Sequence, residues 1–442
     1  MTVHSKDRET WLTKLERIKL LASQNQEMKF NNIGHIIDLE MLAEQYEEQS
    51  SKKAVGTDGI TKEEYGKKLK ANLSLLLIRI RRSQYNSKPA RTTMIPKEDG
   101  GKRPLVISCF EDKLVESAVS KILNCIFEPI FLKYSYGARL GLNAHDALRE
   151  LNRLTYHFYK GTIVEIDITK CFNTIRHQEL MEFLRKRVSD EKFLRLVKKL
   201  IEAPVIENNT ITTSKKGCRQ GSIASLILAN IFLHYVIDCW FDKISKENIR
   251  GKAGAVRYID DMVFAFKYED DAKRFYEVLP KRLSKYGLNL NEAKSQIIKS
   301  GRYHAENLAK QGKKIKTYNF LGFTCYWGKS RFGTTWRLKY TTRRDCFTEK
   351  PKGLREYLRK QLNKRNKTQI LFQVSRATKG WINYHGISDN QRRVKSFIRQ
   401  SRRTLYVWFN RMGGKHKMNW QRLLEILKRI NFPDKWKTIS MF

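Results

Sequence analysis

Two adjacent aspartates, Asp260 and Asp261, interrupt the otherwise apolar stretch AVRYIDDMVFAF (255–266). Carboxylates this close repel each other, so something must offset their charge. A third acid, Asp167, sits near the end of another apolar run, TIVEIDI (162–168). If the two runs are neighbouring strands, three carboxylates converge at strand ends and suit two hard divalent cations bound through oxygen. Such a pair of ions can activate a 3′-hydroxyl and stabilise a departing pyrophosphate, which is phosphoryl-transfer chemistry. The dipeptide taken alone reads more simply as a hairpin turn, because Asp tolerates turn dihedrals.

The elements expected around these acids set where each would lie. TIVEIDI is expected as a buried strand, and 255–266 as a hairpin turning near Asp260. Helices are expected over 177–203, over the long apolar stretch 223–241, and over 270–286 before Gly287, with Pro280 as a kink. Strand, helices, hairpin, helix and strand in that order make a ferredoxin-like (split βαβ) unit, with helices on one face of an antiparallel sheet. Upstream, Arg91–Ile107 reads as a hairpin turning at Asp99-Gly100-Gly101, and 111–127 and 143–160 fit helices. Thr61 and Glu64 have the spacing of a capping box, and Val205–Thr213 fits a further hairpin. Residues 7–22 and 36–49 suit amphipathic helices, and beyond 330 the pattern turns almost wholly helical. His177 and His234 are expected to be structural.

Composition narrows the partners. In 442 residues, 87 Lys and Arg against 45 Asp and Glu leave a net charge of +42, and 41% of residues are hydrophobic. A chain this apolar builds a core, and a charge this large calls for a polyanion whose counterions can be released. The excess is uneven: residues 1–50 hold 6 basic against 9 acidic side chains, whereas 331–442 hold 29 against 6. A nucleic-acid surface is expected in that last segment. Basic residues spread through aromatic-rich sequence argue against a membrane surface. The stretch Ile223–Phe241 carries Asn230, His234 and Asp238 and suits a buried helix better than a membrane span. Seven scattered cysteines without C-x-x-C spacing exclude a zinc ribbon or disulfide scaffold. Without an apolar leader, the cytoplasm is the expected compartment.

Nine segments taken in order resemble the reverse transcriptases of group II introns and their bacterial relatives. They are VGTDGIT (55–61), IPKEDGGKRPL (95–105), YSYGARLGLNAHDAL (134–148), VEIDITKCFNTIRH (164–177) and GCRQGSIASLILANIFLHYVID (217–238). VRYIDDMVFAF (256–266), LNLNEAKSQI (288–297), YNFLGF (318–323) and GWINYHGI (380–387) complete the series. The resemblance covers about residues 50–410 and implies an α+β, right-hand polymerase. Its parts would be an N-terminal helical extension (1–50), fingers (51–160), a ferredoxin-like palm (161–330) and a helical, basic thumb (331–442).

The same resemblance implies roles for individual residues. Asp167 and Asp260, with Asp261 beside them, would hold two Mg²⁺ ions, which Mn²⁺ can replace. Phe172 would exclude a ribose 2′-OH, while Lys97 and Arg103 would clamp the incoming triphosphate. Gln220 would position the nucleotide, and Lys294 would lie close to the site. The implied activity is extension of a DNA or RNA primer with dNTPs on an RNA template, and on DNA as well. Alternatives are a maturase that binds its intron RNA and an anti-phage defence enzyme.

Three departures from the family pattern stand out. Tyr258-Ile259-Asp260-Asp261 replaces the commoner Tyr-Ala-Asp-Asp, a change expected to alter packing at the primer terminus and tune primer use. Ser225-Leu226 replaces Ser-Pro, and the sequence to Phe442 carries no cysteine-rich endonuclease module. The Ile variant resembles group II-like lineages outside mobile introns, some of them linked to DNA repair. Trp381 and Tyr384 belong to the family's thumb signature and are explained at least as well by helix packing as by base stacking.

Overall fold

A computed structural model describes residues 10–96, 101–207, 210–330, 333, 335–364, 366–411 and 417–441. The N-terminal helices Trp11–Gln24 and Leu39–Glu48 start at Thr10 and Asp38, whose side chains accept the N–H of Thr13 and Met41. Both pack on the buried helix Phe110–Phe127. The capping box at Thr61 forms in both directions, at 3.1 and 2.8 Å.

Strands β1 (Ala90–Pro96) and β2 (Lys102–Ile107) form the expected hairpin, with Arg91 opposite Ile107 and Ile95 opposite Arg103. The turn, with Lys97, lies outside the described residues. The central strand β3 (Gly161–Ile166) follows the helix Ala144–Tyr156. After it, the hairpin β4 (Val205–Glu207) and β5 (Thr210–Thr212) returns to the first sheet, β4 lying parallel to β1.

The central sheet has the order β6-β7-β3-β8, where β6 is Ala253–Tyr258, β7 is Asp261–Phe266 and β8 is Gln296–Ser300. All its pairs are antiparallel. Numbered within the unit this order is 2-3-1-4, the ferredoxin-like arrangement. The sheet departs from the expectation in being covered on both faces. Val164, Ile166, Phe264 and Phe266 pack with the helix Glu269–Lys285 and the long apolar helix. Ile163, Val256, Val263 and Ala265 pack instead with the helix Ala144–Tyr156 and with residues 318–340. Ile163 and Val164 are apolar at successive positions because each faces a different buried layer. Each such side chain contributes roughly 1.5–3 kcal/mol.

The long helix runs from Ser225 to Glu247, with one π turn at His234–Asp238. It is long and apolar enough to cross a membrane, but 72% of its apolar window is buried inside the protein. Pro280 lies within Glu269–Lys285, and Gly287 beyond that helix has φ +74°, the left-handed C′ position that favours glycine.

The boundary expected at 330 needs correction. A third sheet, with β9 (Tyr318–Phe320), β10 (Phe323–Lys329) and β11 (Trp336–Thr342), crosses it, and helices take over only from Arg344. In β11 the buried Leu338, Tyr340 and Thr342 alternate with half-buried neighbours, a strand period inside basic sequence. Trp381 stacks with Phe397 at 4.1 Å, and the Tyr384 hydroxyl donates to the Leu321 carbonyl at 2.9 Å, so both thumb-signature residues pack the fold. After the helix Trp420–Arg429 the chain runs back toward the central unit. There Ile439 bonds Gly386, and Asn152 donates to the Met441 carbonyl at 3.0 Å.

Candidate active site

In the central sheet β3 lies between β7 and β8, and Ile166 stands opposite Met262. One step further out are Asp167 and Asp261, on the same face because strand side chains alternate. Both line a cleft of about 1450 Å³ that also takes in Arg103 and Leu105 from β2, Lys294, and Arg343 and Arg344 at the head of the helix Arg344–Gln361. Asp260 occupies the turn between β6 and β7, preceded by Ile259 at φ +59°.

Asp167 is held firmly. Its N–H donates to the Ser295 hydroxyl at 3.1 Å, and its carbonyl accepts the Asn291 N–H at 2.9 Å. The Asn291 side chain donates to its carboxylate at 2.7 Å. The other two acids are raised by burial first and by like charge after it. Partial burial, then Asp260 and Asp167, push Asp261 up to about 6, with Arg343 acting the other way. Asp261 nevertheless remains exposed and lines the cleft. Asp260 is raised too, by burial and Asp167, against the lowering pull of its own backbone N–H, Arg103 and Arg257.

Among the described residues no three His, Cys, Asp or Glu side chains form a ready-made metal cage. Magnesium does not need one. It takes one or two carboxylates and completes its shell with water and substrate phosphates. Raised carboxylate pKa values mean uncompensated negative charge, which a divalent cation would relieve. The donor set therefore fits hard cations.

The other expected residues divide. Arg103 and Lys294 are exposed on the cleft. Phe172, in the short helix Cys171–Thr174, is 9% exposed in the main core, and its carbonyl accepts the Cys218 N–H at 2.7 Å. Gln220 is half-buried and ties its loop to the first sheet, its carbonyl accepting the Val106 N–H at 2.7 Å. Gly221 beside it has φ +108°, and a Cβ there would meet the Val106 oxygen at 2.4 Å. Neither Phe172 nor Gln220 lines the cleft. Both histidines are structural: His177 bonds the Gly217 carbonyl at 2.9 Å, and burial lowers His234 to about 4.

Sequence reasoning missed Glu165, Asn291 and Arg343. Glu165 lies two residues before Asp167 on the same strand face, so the period-2 rule points to it. Burial raises its pKa while bonds from Gln296 and the Asn319 N–H lower it. Arg343 had no local signal. It reaches the cleft because its N–H bonds the Gly322 carbonyl at 3.0 Å, after the left-handed pair Leu321 and Gly322.

Comparison with known proteins agrees with this geometry. The chain is 36% identical over 170 residues to the uncharacterized 91 kDa protein in the cob intron of Schizosaccharomyces pombe, covering 38% of this chain and 20% of that one. It is 28% identical over 303 residues to the group II intron-encoded protein LtrA of Lactococcus lactis subsp. cremoris, covering 65% and 50%. Protein YkfC of Escherichia coli K12 is 32% identical over 207 residues, covering 46% and 53%. The chain thus spans between a fifth and about half of these relatives. The family model for reverse transcriptase (RNA-dependent DNA polymerase) matches residues 95–325, more than half of the chain and all three aspartates of the site. With Asp167, Asp260 and Asp261 at the strand ends of that matched region, the chain belongs to the reverse transcriptase family.

Proposed function

We propose that the protein is an RNA-directed DNA polymerase that extends a primer 3′-hydroxyl with dNTPs, on RNA and also on DNA templates. The observation that carries this reading is the meeting of Asp167 and Asp261 in strand register on a cleft that also presents Arg103 and Lys294. In it, the segment from β3 through the third sheet acts as the palm, 51–160 as the fingers and the helices from Arg344 as the thumb.

Asp167, Asp260 and Asp261 would hold two Mg²⁺ ions, or Mn²⁺ in their place. When bound, these supply the Lewis acidity that lowers the pKa of the 3′-hydroxyl and neutralises the departing pyrophosphate. Asn291 and Ser295 orient Asp167 for that task. Arg103 and Lys294 set positive charge along the path of the triphosphate, and Lys97 joins them in this reading. Gln220 acts through the loop that it ties to β2. The template and primer lie along the thumb, where Arg392, Lys395, Arg399 and Arg403 form one exposed basic stripe on the helix Gln391–Arg411. All seven cysteines are free, which supports work in the reducing cytoplasm.

The carboxylate cluster favours catalysis over RNA binding alone, because acids facing a polyanion weaken pure binding. Primer extension on a defined RNA template, paired with a binding titration, tests the proposal. Asp260→Ala should abolish dNTP incorporation and leave nucleic-acid affinity within about threefold. Undiminished synthesis by the variant would refute the assignment.

A further inference from the structure

Arg257 is 1% exposed, and a guanidinium so far from water needs acceptors on every side. It draws them from three parts of the fold. Its Nε and Nη2 fork onto the carboxylate of Asp238 at 2.7 and 2.6 Å. Nη1 donates to Asn230 Oδ1 at 2.9 Å and to the Ile259 carbonyl at 3.2 Å, and Nη2 donates also to the Ser135 hydroxyl at 2.9 Å. Its main chain is engaged as well: its N–H donates to the Tyr134 carbonyl at 2.7 Å, and its carbonyl accepts the Tyr136 N–H at 2.8 Å.

Helix geometry is adapted to this arrangement. Asn230 and Asp238 are eight residues apart, which on a regular α-helix leaves side chains about 80° out of line. The π turn His234–Asp238 takes up one extra residue and brings the two onto a common face. On the other side of the hairpin, Gly137 touches Ile259 so closely that a Cβ there would lie 2.7 Å from its nitrogen and from Cγ1. The Gly137 carbonyl is held by Asn230 Nδ2 at 2.8 Å.

Ile259 is β-branched and left-handed at φ +59°, a conformation that persists only where its surroundings enforce it. The peptide that joins Ile259 to Asp260 carries the carbonyl that Arg257 holds. Release of that bond frees the turn to relax and carries the Asp260 carboxylate with it. We infer that Arg257 is a positioning residue that holds the strained Ile259–Asp260 turn and couples it to the 134–137 loop and the long apolar helix. The inference rests on the polymerase reading of the cleft.

The test is single-nucleotide primer extension at saturating primer–template, with dNTP titrations and thermal melts. It compares the full-length wild type, Asp260→Ala, Arg257→Lys and the double variant Arg257→Met with Asp238→Leu. Arg257→Lys keeps a cation beside Asp238 but cannot reach every acceptor. It should melt cooperatively yet lose kcat on the order of tenfold or more, with KM for dNTP within about threefold. The double variant replaces a buried ion pair with apolar side chains of similar volume, an exchange that commonly preserves stability. It should melt near the wild-type temperature and still lose kcat, because the Ile259 carbonyl has no donor. Wild-type kcat in the double variant would overturn the inference, since Arg257 would then serve packing alone. Loss of the cooperative melt in Arg257→Lys would overturn it in the same way. A wild-type enzyme without Asp260-dependent extension would instead sink the polymerase reading, which is a distinct result.

Discussion

Asn291 grips Asp167 twice, with its side-chain amide on the carboxylate at 2.7 Å and its main-chain N–H on the carbonyl at 2.9 Å. Asp167 lies just beyond a rigid strand, and Asn291 lies in the loop that leads to β8, the neighbouring strand. The bond therefore fixes the angle at which the carboxylate leaves the sheet. Asn291→Ala should lower kcat for nucleotide addition by about tenfold with little change in stability. Asn291→Asp should be worse, since it sets a fourth negative charge against Asp167. Single-turnover extension measures both, and wild-type rates in both variants would show that Asp167 needs no such hold.

If Asp261 holds a metal ion as proposed, its raised pKa should make that binding depend on pH. Its carboxyl sits at about 6 in the folded chain, against about 3.9 in an unfolded one. The native state therefore binds this proton more tightly, and stability from this group is fully present below about pH 4 and lost as pH rises through about 6. Cation binding needs the proton gone, so affinity for Mg²⁺ or Mn²⁺ should fall as pH drops below about 6, and binding near that pH should release protons. Calorimetry in buffers of different ionisation enthalpy reads that release, and Asp261→Asn should remove most of it. Identical metal affinity from about pH 5 to about pH 8 would show that Asp261 takes no part.

Ile259 combines a left-handed backbone, worth about 1–2 kcal/mol of strain, with close packing on Gly137. Ile259→Ala trims that contact at the turn that carries Asp260. The ratio of extension from short or poorly paired primers to extension from long matched ones should change severalfold. Identical profiles would leave the side chain without a role in primer use.

Phe172 combines a structural burden with its expected selectivity role. Its ring is nine-tenths buried in the main core, so Phe172→Ala should cost about 3–5 kcal/mol. A denaturant midpoint reads this, and a loss below about 1 kcal/mol would show that the ring is not core. Phe172→Leu keeps most of the volume and is the variant in which to measure ribonucleotide incorporation. Raised rNTP use in a stable Phe172→Leu enzyme is the expected result, and unchanged selectivity would leave Phe172 to the core alone.

Local pattern was enough to single out the three aspartates as candidates, because apolar runs of strand length that end in acids are a short-range feature, but it did not give them a role. The same holds for the Thr61 capping box, the hairpins and the left-handed Gly287, each of which needs only a few neighbouring residues. The hairpin carrying Arg103 was legible too, since β-branched runs around a glycine turn leave few alternatives. Coverage of both sheet faces was not legible, because Glu165 and Asp167 interrupt the apolar run of TIVEIDI and leave one of its faces looking polar.

The rest depended on residues far apart in the chain. No local signal carries Arg343 into the cleft, because it arrives through a turn at Leu321-Gly322 and a sheet that crosses the expected domain boundary. Whether Phe172 faces substrate or core depends on the loop at Cys218, and how Asp167 is oriented depends on Asn291, 124 residues later. Arg257 reads as one basic residue among 87, and only the fold surrounds it with Asp238, Asn230, Ser135 and Ile259. A side chain's identity sets what bonds it can make, but burial and partners arise only when separate segments pack together.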